Sequence, residues 1–311
     1  MIVAGGFGLL GSWVTHALVS KGRTVAVLDQ GASHADYLEP FRDQIFAYHG
    51  EATDIRSVFE VFAEHWDHVQ GVIHVPRSSS ARPPYATVHA TVMGLTNLIE
   101  AARLHRVPKV VFRSSSAVYG DRKGVLSESM PARPIDSYGA AMAAAEMVGI
   151  QFAREAGILL RIVRTSQIYG AGRVPRPGSL FAPLAGRLLI DLPAGWADRR
   201  DLTCVKDAAK GVVLAFDAAS THYQVFNISG GVLYTMEDIV EAIKEHSDGP
   251  VRVKIGQAVS NPRFAGAGPL DLSRAREVLK YRPDYDLNRG IDDYVQWLKT
   301  RSAVPVAVEA D

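Results

Sequence analysis

Hydrophobic and polar positions alternate in blocks along the first half of the chain. Short apolar runs of strand length are separated by stretches in which apolar residues recur every three or four positions, the spacing of a helix with one buried face. The predicted strands are Ile2–Ala4, Val25–Leu28, Ile45–Tyr48, Gly71–Val75, Lys109–Arg113 and Leu159–Val163. The predicted helices are Leu10–Ser20, Ile55–His65, Val88–His105 and Tyr138–Ala156. This alternation predicts an α/β fold with a parallel, doubly wound sheet, which binds ligands beyond the carboxyl ends of its strands.

The pattern changes after residue 170. The segment Ala171–Gly178 is rich in proline, glycine and arginine and is typical of a loop. Beyond it, the predicted strands are Thr203–Val205 and Val225–Ile228, and the predicted helices are Asp207–Ala219, Met236–His246, Ser273–Lys280 and Leu287–Lys299. We therefore expect a Rossmann domain over residues 1–170, a smaller C-terminal α/β substrate lobe, mainly over residues 171–300, and a mobile tail over residues 301–311.

The first predicted strand runs into three glycines, Gly5, Gly8 and Gly11, and a helix follows them. A strand, a glycine turn and a helix in this order are the context of a dinucleotide site, where the pyrophosphate approaches the turn and the amino end of the helix. The second strand is followed by Asp29, roughly 20 residues further on, where an acidic residue binds the ribose hydroxyls. Residues 30–35 contain no arginine or lysine for a 2′-phosphate, so NAD is favoured over NADP. The structural alternatives are that the glycines only form a tight connection and that Asp29 is only a turn residue after a strand.

Composition narrows the range of partners. The 311 residues are 47% hydrophobic and 22% charged, with a formal net charge of +1, so no general attraction to nucleic acid or an anionic membrane is expected. No apolar run has the length of a membrane span, and the N-terminus lacks the basic region of a signal peptide. The single cysteine, Cys204, allows no internal disulfide and favours a reducing compartment, for which we expect the cytoplasm. The histidines show no metal-ligand spacing, so no metal site is expected.

Candidate chemistry lies after the strand Lys109–Arg113, where three serines, Ser114–Ser116, follow at the edge of the sheet. Tyr138 opens a later helix. A serine and a tyrosine beside a nicotinamide can relay a proton during hydride transfer, the phenolate accepting the proton of the substrate hydroxyl while the serine holds the substrate oxygen. Serine and tyrosine are also common at loop and helix edges, so a capped loop beside a helix-start tyrosine is an equal alternative.

These motifs together resemble the extended short-chain dehydrogenase/reductase superfamily, of the NAD-dependent epimerase/dehydratase type. The resemblance rests on AGGFGLLGS at 4–12, VAVLD at 25–29, GVIHV at 71–75, GLTNLIEAAR at 94–103, SSSAVYG at 114–120, YGAAMAAAE at 138–146, VRTSQIYGAG at 163–172 and, more weakly, RRDLTCVKDAAKGV at 199–212. It implies a Rossmann domain that holds NAD and a second lobe for the substrate, often a nucleotide-activated sugar. It also implies a homodimer joined by the helices Val88–His105 and Tyr138–Ala156.

The resemblance implies roles for single residues. Tyr138 is the catalytic tyrosine, Ser115 the catalytic serine, and Ser116 lies beside it. The implied cofactor contacts are Gly5, Phe7, Gly8, Leu9, Gly11, Asp29, Asp54, Val75, Ser114, Tyr138 and Met142. The implied substrate contacts are Gln167, Arg200 and Arg263. Arg77 departs from the family pattern, which usually has alanine there, and is a further candidate because it would lie at the ligand edge of the sheet. The arginines suit a phosphate or carboxylate because their fork is bidentate, and a solvated surface position is the alternative for each.

The chain departs from the family pattern four residues after Tyr138, where the family's lysine is Met142. That lysine holds the nicotinamide ribose, and its charge lowers the pKa of the catalytic tyrosine; a thioether does neither. A tyrosine without a nearby cation titrates close to ~10. An active enzyme must therefore compensate for the missing lysine, either through another cation, for which Arg77 is the candidate, or by working at elevated pH. Ser116 and Ala117 also fill the place of the extra acid/base pair of dehydratases, which disfavours dehydration.

The sequence therefore predicts NAD-dependent oxidation of a secondary hydroxyl on a sugar, sugar acid or nucleotide sugar, most simply by an epimerase with transient hydride transfer. A sugar dehydrogenase needs the same serine, tyrosine and NAD and stays open. Met142 keeps open a hypothesis of another class, an NAD-binding sensor or inactive relative with weakened catalysis.

Overall fold

The computed structural model describes residues 1–31, 36–65, 68–76, 83–186, 189–192, 198–218, 224–255 and 268–302. The strands are β1 (Ile2–Ala4), β2 (Val25–Asp29), β3 (Ile45–His49), β4 (Val72–His74), β5 (Lys109–Ser115), β6 (Leu159–Thr165), β7 (Gln167–Tyr169), β8 (Leu189–Leu192), β9 (Arg199–Cys204), β10 (Val225–Ile228), β11 (Leu233–Thr235) and β12 (Arg252–Ile255). The α-helices are α1 (Leu9–Val19), α2 (Ile55–His65), α3 (Pro84–Val88), α4 (Gly94–Leu104), α5 (Ser137–Ala156), α6 (Val205–Asp217), α7 (Met236–Glu245), α8 (Ser273–Val278) and α9 (Leu287–Ser302). Further turns of helix are a π-helix over His89–Met93 and 3₁₀ segments over Asp36–Gln44, Ser116–Tyr119 and Ala182–Ala185.

Seven strands form one parallel sheet in the order β10-β6-β5-β4-β1-β2-β3. The chain builds β1, β2 and β3 towards one edge and then returns to place β4 on the other side of β1. Strands β1, β2 and β4 are wholly buried, because helices cover both faces, which explains why their residues are apolar except Asp29 and His74 at the carboxyl ends of β2 and β4. The predicted doubly wound sheet is confirmed, and its crevice lies beyond the carboxyl ends of β1 and β4, where the strand order reverses.

Three elements beyond residue 170 belong to this large sheet or pack against it, namely strand β10 and helices α6 and α8. Strand β10 pairs with β6, with Phe226 opposite Val163, and helix α6 packs against α1 and against the sheet. The sheet therefore takes in part of the region assigned to the substrate lobe. Most of the remaining region, together with β7, forms a smaller lobe, in which the sheet β11-β9-β7 and the pair β12-β8 pack with α7 and α9 around a second apolar core.

The helix ends follow local sequence signals. Asp238 N–H donates to Thr235 Oγ1 at 3.1 Å and Thr235 N–H donates to Asp238 Oδ2 at 2.8 Å, a reciprocal cap that starts α7. Helix α5 ends at Gly157, which adopts the left-handed conformation that glycine favours at this position. Within the described ranges, no helix combines the length and the apolar character needed to cross a membrane.

Candidate active site

Gly5 and Gly11 bring β1, the following turn and α1 into close contact. Gly5 has a φ of +83°, and a Cβ there would lie 2.0 Å from the carbonyl oxygen of Val75. A Cβ at Gly11 would lie 1.9 Å from the carbonyl oxygen of Gly5. Gly8 is the N-cap of α1 and brings no capping side chain, so the first N–H groups of the helix are left to an anion. The turn therefore fits the pyrophosphate of a dinucleotide.

Asp29 ends β2 beside this turn. Its Oδ2 accepts a hydrogen bond from the backbone N–H of Phe7 at 2.9 Å, and its Oδ1 accepts one from Gly31 N–H at 3.3 Å. The carboxylate lines a small cavity whose walls include residues 50–53, His74 and Val75. Asp29 and the backbone of Phe7 are thus held together beside the glycine turn, and their contacts with the cofactor stay predictions.

Asp54 lies outside the lining of this small cavity, which its neighbours Glu51–Thr53 join. Its carboxylate accepts hydrogen bonds from Ser57 Oγ at 2.7 Å and from Arg56 N–H at 3.1 Å at the start of α2. The hydrogen bond from Ser57 is the main cause that lowers the pKa of Asp54 below its ordinary value. In this structure Asp54 caps a helix, and its contact with adenine stays a prediction.

A second, larger cavity of about 650 Å³ adjoins the first, and Gly5, Val75 and Pro76 belong to the walls of both. The predicted residues that line it are Gly5, Gly8, Leu9, Gly11, Val75, Ser115, Ser116, Tyr138, Gln167 and Arg200. The two cavities together form a groove along the carboxyl edge of the sheet, from Asp29 past the glycine turn to β5. A dinucleotide in it would place its adenosine at Asp29 and its nicotinamide near Ser115 and Tyr138.

Ser115 and Tyr138 are each set by a local cap. Ser115 is the last residue of β5, and its Oγ accepts a hydrogen bond from Ala117 N–H at 3.2 Å, which starts the 3₁₀ turn after the strand. Asp136 is the N-cap of α5 and accepts from Gly139 N–H at 2.7 Å, so Tyr138 lies in the first helical turn. Strand end and helix start therefore bring both side chains to the same cavity.

Ser114 and Met142 lie in the interior instead. Ser114 Oγ donates to Glu146 Oε1 at 2.5 Å, and Glu146 forms a buried ion pair with Arg164, whose Nη2 is 2.6 Å from Glu146 Oε2. Burial disfavours the charge of Arg164, but the contact with Glu146 outweighs it and raises the pKa of that guanidinium. Met142 is wholly buried in the main apolar core. Neither side chain is part of the cavity lining, and their contacts with NAD stay predictions.

The end of the large cavity beneath the smaller lobe is rich in arginine. Arg173, Arg176, Arg199 and Arg200 line it, and Arg200 Nη1 donates to Gln167 Oε1 at 3.2 Å. Burial lowers the pKa of Arg200 to about 10, which still leaves it protonated at neutral pH. Four guanidinium groups here outnumber the carboxylates of Asp136 and Asp201 in the same lining, so this end suits an anionic substrate. The predicted Arg77 and Arg263 lie outside the described residues.

Arg113 is among the lining residues that were not predicted from the sequence. Its Nη1 donates a hydrogen bond to the Tyr138 hydroxyl oxygen at 3.2 Å. Arg113 precedes Ser115 by two positions on β5, and residues two apart on a strand share a face. That period could have identified its side chain as a neighbour of Ser115.

Comparison with known proteins agrees with this geometry. The model of the NAD dependent epimerase/dehydratase family matches residues 1–229. A UDP-glucose 4-epimerase of Corynebacterium glutamicum is 25% identical over 321 residues, which covers 94% of each chain. A dTDP-glucose 4,6-dehydratase of an Actinoplanes species is 26% identical over 317 residues, 96% of this chain and 97% of the relative.

The crystal structure of a UDP-glucose 4-epimerase from Thermotoga maritima, solved with UDP-glucose, superposes with a TM-score of 0.84 at 25% identity. The match covers 97% of this chain and 99% of that one. Because the family model spans most of the chain and the fold agrees over nearly all of it, this chain belongs to the NAD dependent epimerase/dehydratase family, an extended short-chain dehydrogenase/reductase whose cofactor is NAD.

Proposed function

We propose that this protein is an epimerase that inverts a secondary hydroxyl of a nucleotide sugar, with sugars and sugar acids as the other substrate classes. The observation that carries this proposal is a single cavity that extends from the glycine turn past Ser115 and Tyr138 to four arginines. One guanidinium group can donate two parallel hydrogen bonds to the oxygens of a phosphate. The relatives are named for UDP-glucose and dTDP-glucose, which carry a diphosphate. The arginines would therefore hold a diphosphate while the sugar reaches the serine and the tyrosine.

The protein's own residues would move a proton twice. Tyr138 Oη takes the proton of the substrate hydroxyl as the carbon–hydrogen bond of the same carbon breaks, while Ser115 Oγ donates a hydrogen bond to that oxygen. When bound, NAD supplies the acceptor and then the donor of the hydride. The sugar carbon becomes a ketone, and on its reduction from the opposite face Tyr138 returns the proton to the oxygen. Anchoring through the distant arginines would let the ring turn between the two steps.

The cavity favours epimerisation over dehydration. Loss of water from a sugar needs an additional acid and base near the ketone. Next to Ser115 the lining consists of Ser116 and Ala117, which supply no carboxyl group. A dehydrogenase would use the same Ser115 and Tyr138 and differs in releasing the reduced cofactor.

The experiment is incubation of the purified protein and NAD with a panel of nucleotide sugars, sugars and sugar acids, followed by chromatography and mass spectrometry. An epimerase converts substrate into an isomer of equal mass with no accumulated reduced cofactor. A dehydratase product is lighter by one water, and a dehydrogenase accumulates reduced cofactor in step with product.

The variants Y138F and S115A separate catalysis from binding. Both should lose turnover by about 100-fold or more, because proton relay contributes roughly that much, while still binding NAD.

The second candidate function, a binding protein without redox chemistry, is favoured by Met142 in place of the lysine. Binding of NAD with no product from any substrate, in the wild type as in Y138F, would establish it in place of the epimerase.

We also propose that two copies associate through α3, α4 and α5. These helices pack against one another and carry large apolar side chains that face solvent: Tyr85 and Met147 are 78% and 72% exposed, and Val88 is 44% exposed. Met93, at the end of the π-helix that joins α3 to α4, is also 44% exposed. A helical face of this kind is self-complementary across a two-fold axis, since it can build a four-helix bundle with a second copy.

The test is the molar mass by light scattering at several concentrations. M147E should shift a dimer to monomers, whereas V125E, at a 56% exposed position outside these helices, should not. A monomeric wild type would contradict the proposed dimer. A cytoplasmic location also stays a proposal; its support is the single cysteine, Cys204, which allows no internal disulfide and favours a reducing compartment.

A further inference from the structure

The guanidinium group of Arg113 bridges two structural elements at the catalytic tyrosine. Its Nη1 donates to the Tyr138 hydroxyl oxygen at 3.2 Å, and its Nε donates to Thr165 Oγ1 at 3.1 Å. Thr165 ends β6, the strand next to β5, and its own hydroxyl donates to the carbonyl oxygen of Ser114 at 3.4 Å. The planar fork is therefore held at both ends, with one edge directed at the phenol.

This contact meets a need that Met142 leaves open. A phenol that acts as a base at neutral pH requires a stabilised anion, and a hydrogen-bonding positive charge provides that stabilisation. The residue one helical turn after Tyr138 is a wholly buried thioether without charge. Arg113 reaches the same oxygen from the neighbouring strand.

We propose that Arg113 is the residue that stabilises the phenolate of Tyr138, so that the strand supplies the cation that the helix lacks. The inference rests on the proposed function and deepens it, because it identifies what makes Tyr138 a base. During turnover Arg113 keeps its protons: Tyr138 Oη gains the substrate proton and later returns it, and the guanidinium only strengthens or weakens its hydrogen bond to that oxygen.

Other charged groups line the same cavity. They are Asp136 at the start of α5 and, in the smaller lobe, Arg173, Arg176, Arg199, Arg200 and Asp201. Arg113 differs from these in its direct hydrogen bond to the phenol. A guanidinium also stays protonated throughout the working range, so no loss of the cation limits activity at alkaline pH, as the loss of an ammonium near ~10.4 would.

The first experiment requires no substrate. The protein is labelled with ¹³Cζ-tyrosine, the Tyr138 resonance is identified by its absence in Y138F, and its conversion to the phenolate is followed by NMR as the pH is raised. R113M removes the charge and the donor, and R113Q keeps a donor without the charge. R133M removes an exposed arginine elsewhere and serves as the matched control. Thermal melting establishes that each variant is folded.

We expect conversion at higher pH in R113M and R113Q than in the wild type, by about one pH unit or more, as for the loss of a neighbouring opposite charge. R133M should match the wild type. Unchanged conversion in both Arg113 variants would overturn the proposal, and this result is independent of whether any substrate has been found.

Kinetics give the second test once a substrate is known. R113M should lose about tenfold in kcat near neutral pH and recover as the pH rises, with KM little changed. An increase in KM alone would assign Arg113 to substrate binding instead. Tighter NAD binding with faster turnover in R113M would show that the guanidinium obstructs the site. Either result would overturn the proposal.

Discussion

Asp29 and Phe7 join the second strand to the glycine turn: the backbone N–H of Phe7 donates to Asp29 Oδ2 at 2.9 Å. The acid proposed to bind ribose therefore also fixes the turn proposed to bind pyrophosphate. Both ends of the contact lie at the carboxyl edge of the sheet, one after β1 and one at the end of β2. Formation of either half of the nucleotide site depends on the other.

The variant D29N tests this coupling. The amide oxygen can still accept from Phe7 N–H, so the fold should persist although the longer hydrogen bond from Gly31 N–H is lost. The charge that strengthens the ribose hydrogen bonds is also removed. We expect NAD affinity to fall about tenfold, which corresponds to about 1.4 kcal/mol. Affinity for NADP should fall less, because the carboxylate also repels a 2′-phosphate. Calorimetric titration with both cofactors measures the difference. D43N, at an exposed site in the segment Asp36–Gln44, should change neither affinity, and an equal loss of both in D29N would contradict the proposed ribose contact.

Gly8 and Gly11 should respond differently to alanine. A Cβ at Gly11 would lie 1.9 Å from Gly5 O, so G11A must displace the backbone and should lower the melting temperature. A Cβ at Gly8 would meet only Gly5 O, at an ordinary 3.5 Å, and the backbone there is extended. G8A should therefore have the melting temperature of the wild type and yet bind NAD at least tenfold more weakly, because its methyl group would occupy the surface of the turn that a phosphate approaches. Unchanged NAD affinity in a folded G8A would place the pyrophosphate elsewhere.

These contrasts indicate what the sequence alone could predict. The strand β1, its glycines and Asp29 are close in sequence and have a strong local pattern, so the sheet and its nucleotide edge could be predicted from periodicity. The pairing of β10 with β6 could not, because a four-residue apolar strand carries no information about its neighbour. The contact of Arg113 with Tyr138 joins residues 25 positions apart on a strand and a helix, so it depends on how α5 is placed over β5. The same holds for Ser114, whose serine motif suggested a cofactor contact while its hydroxyl bonds to Glu146.

Glu146 provides a test of the interior beneath Tyr138. Its carboxylate accepts hydrogen bonds from the Ser114 hydroxyl and from Nε and Nη2 of Arg164. Both charged side chains are buried. In E146A the Arg164 charge is left in the core without its carboxylate, so we expect a loss of about 3–5 kcal/mol in the free energy of unfolding. Urea unfolding measures it. E155A, on the exposed side of the same helix, should cost less than about 1 kcal/mol. Equal effects of the two substitutions would mean that the pair contributes no more than a surface contact.

Asp201 should make stability depend on pH in an unusual direction. Burial raises its pKa to about 6 from an ordinary 3.8, although the N–H of Leu270 donates to its Oδ2 at 3.1 Å. The folded protein therefore holds this proton more tightly than the unfolded chain does. The resulting stabilisation is present at low pH and is lost as the pH rises from about 4 through about 6.

The variant D201N isolates this effect. Its amide oxygen can accept from Leu270 N–H as the carboxylate does, so the hydrogen bond that the wild type makes here can persist. Since the amide does not ionise, D201N should gain stability relative to the wild type between pH 5 and pH 8, by about 1 kcal/mol. Urea unfolding gives the free energy of unfolding of both proteins at pH 5 and at pH 8. The difference between the two proteins is then compared between the two pH values, so that the effects of the other titrating groups cancel. The same difference at both pH values would mean that Asp201 is charged throughout this range in the folded protein, and that the cavity wall beside Arg200 carries a full carboxylate even in mild acid.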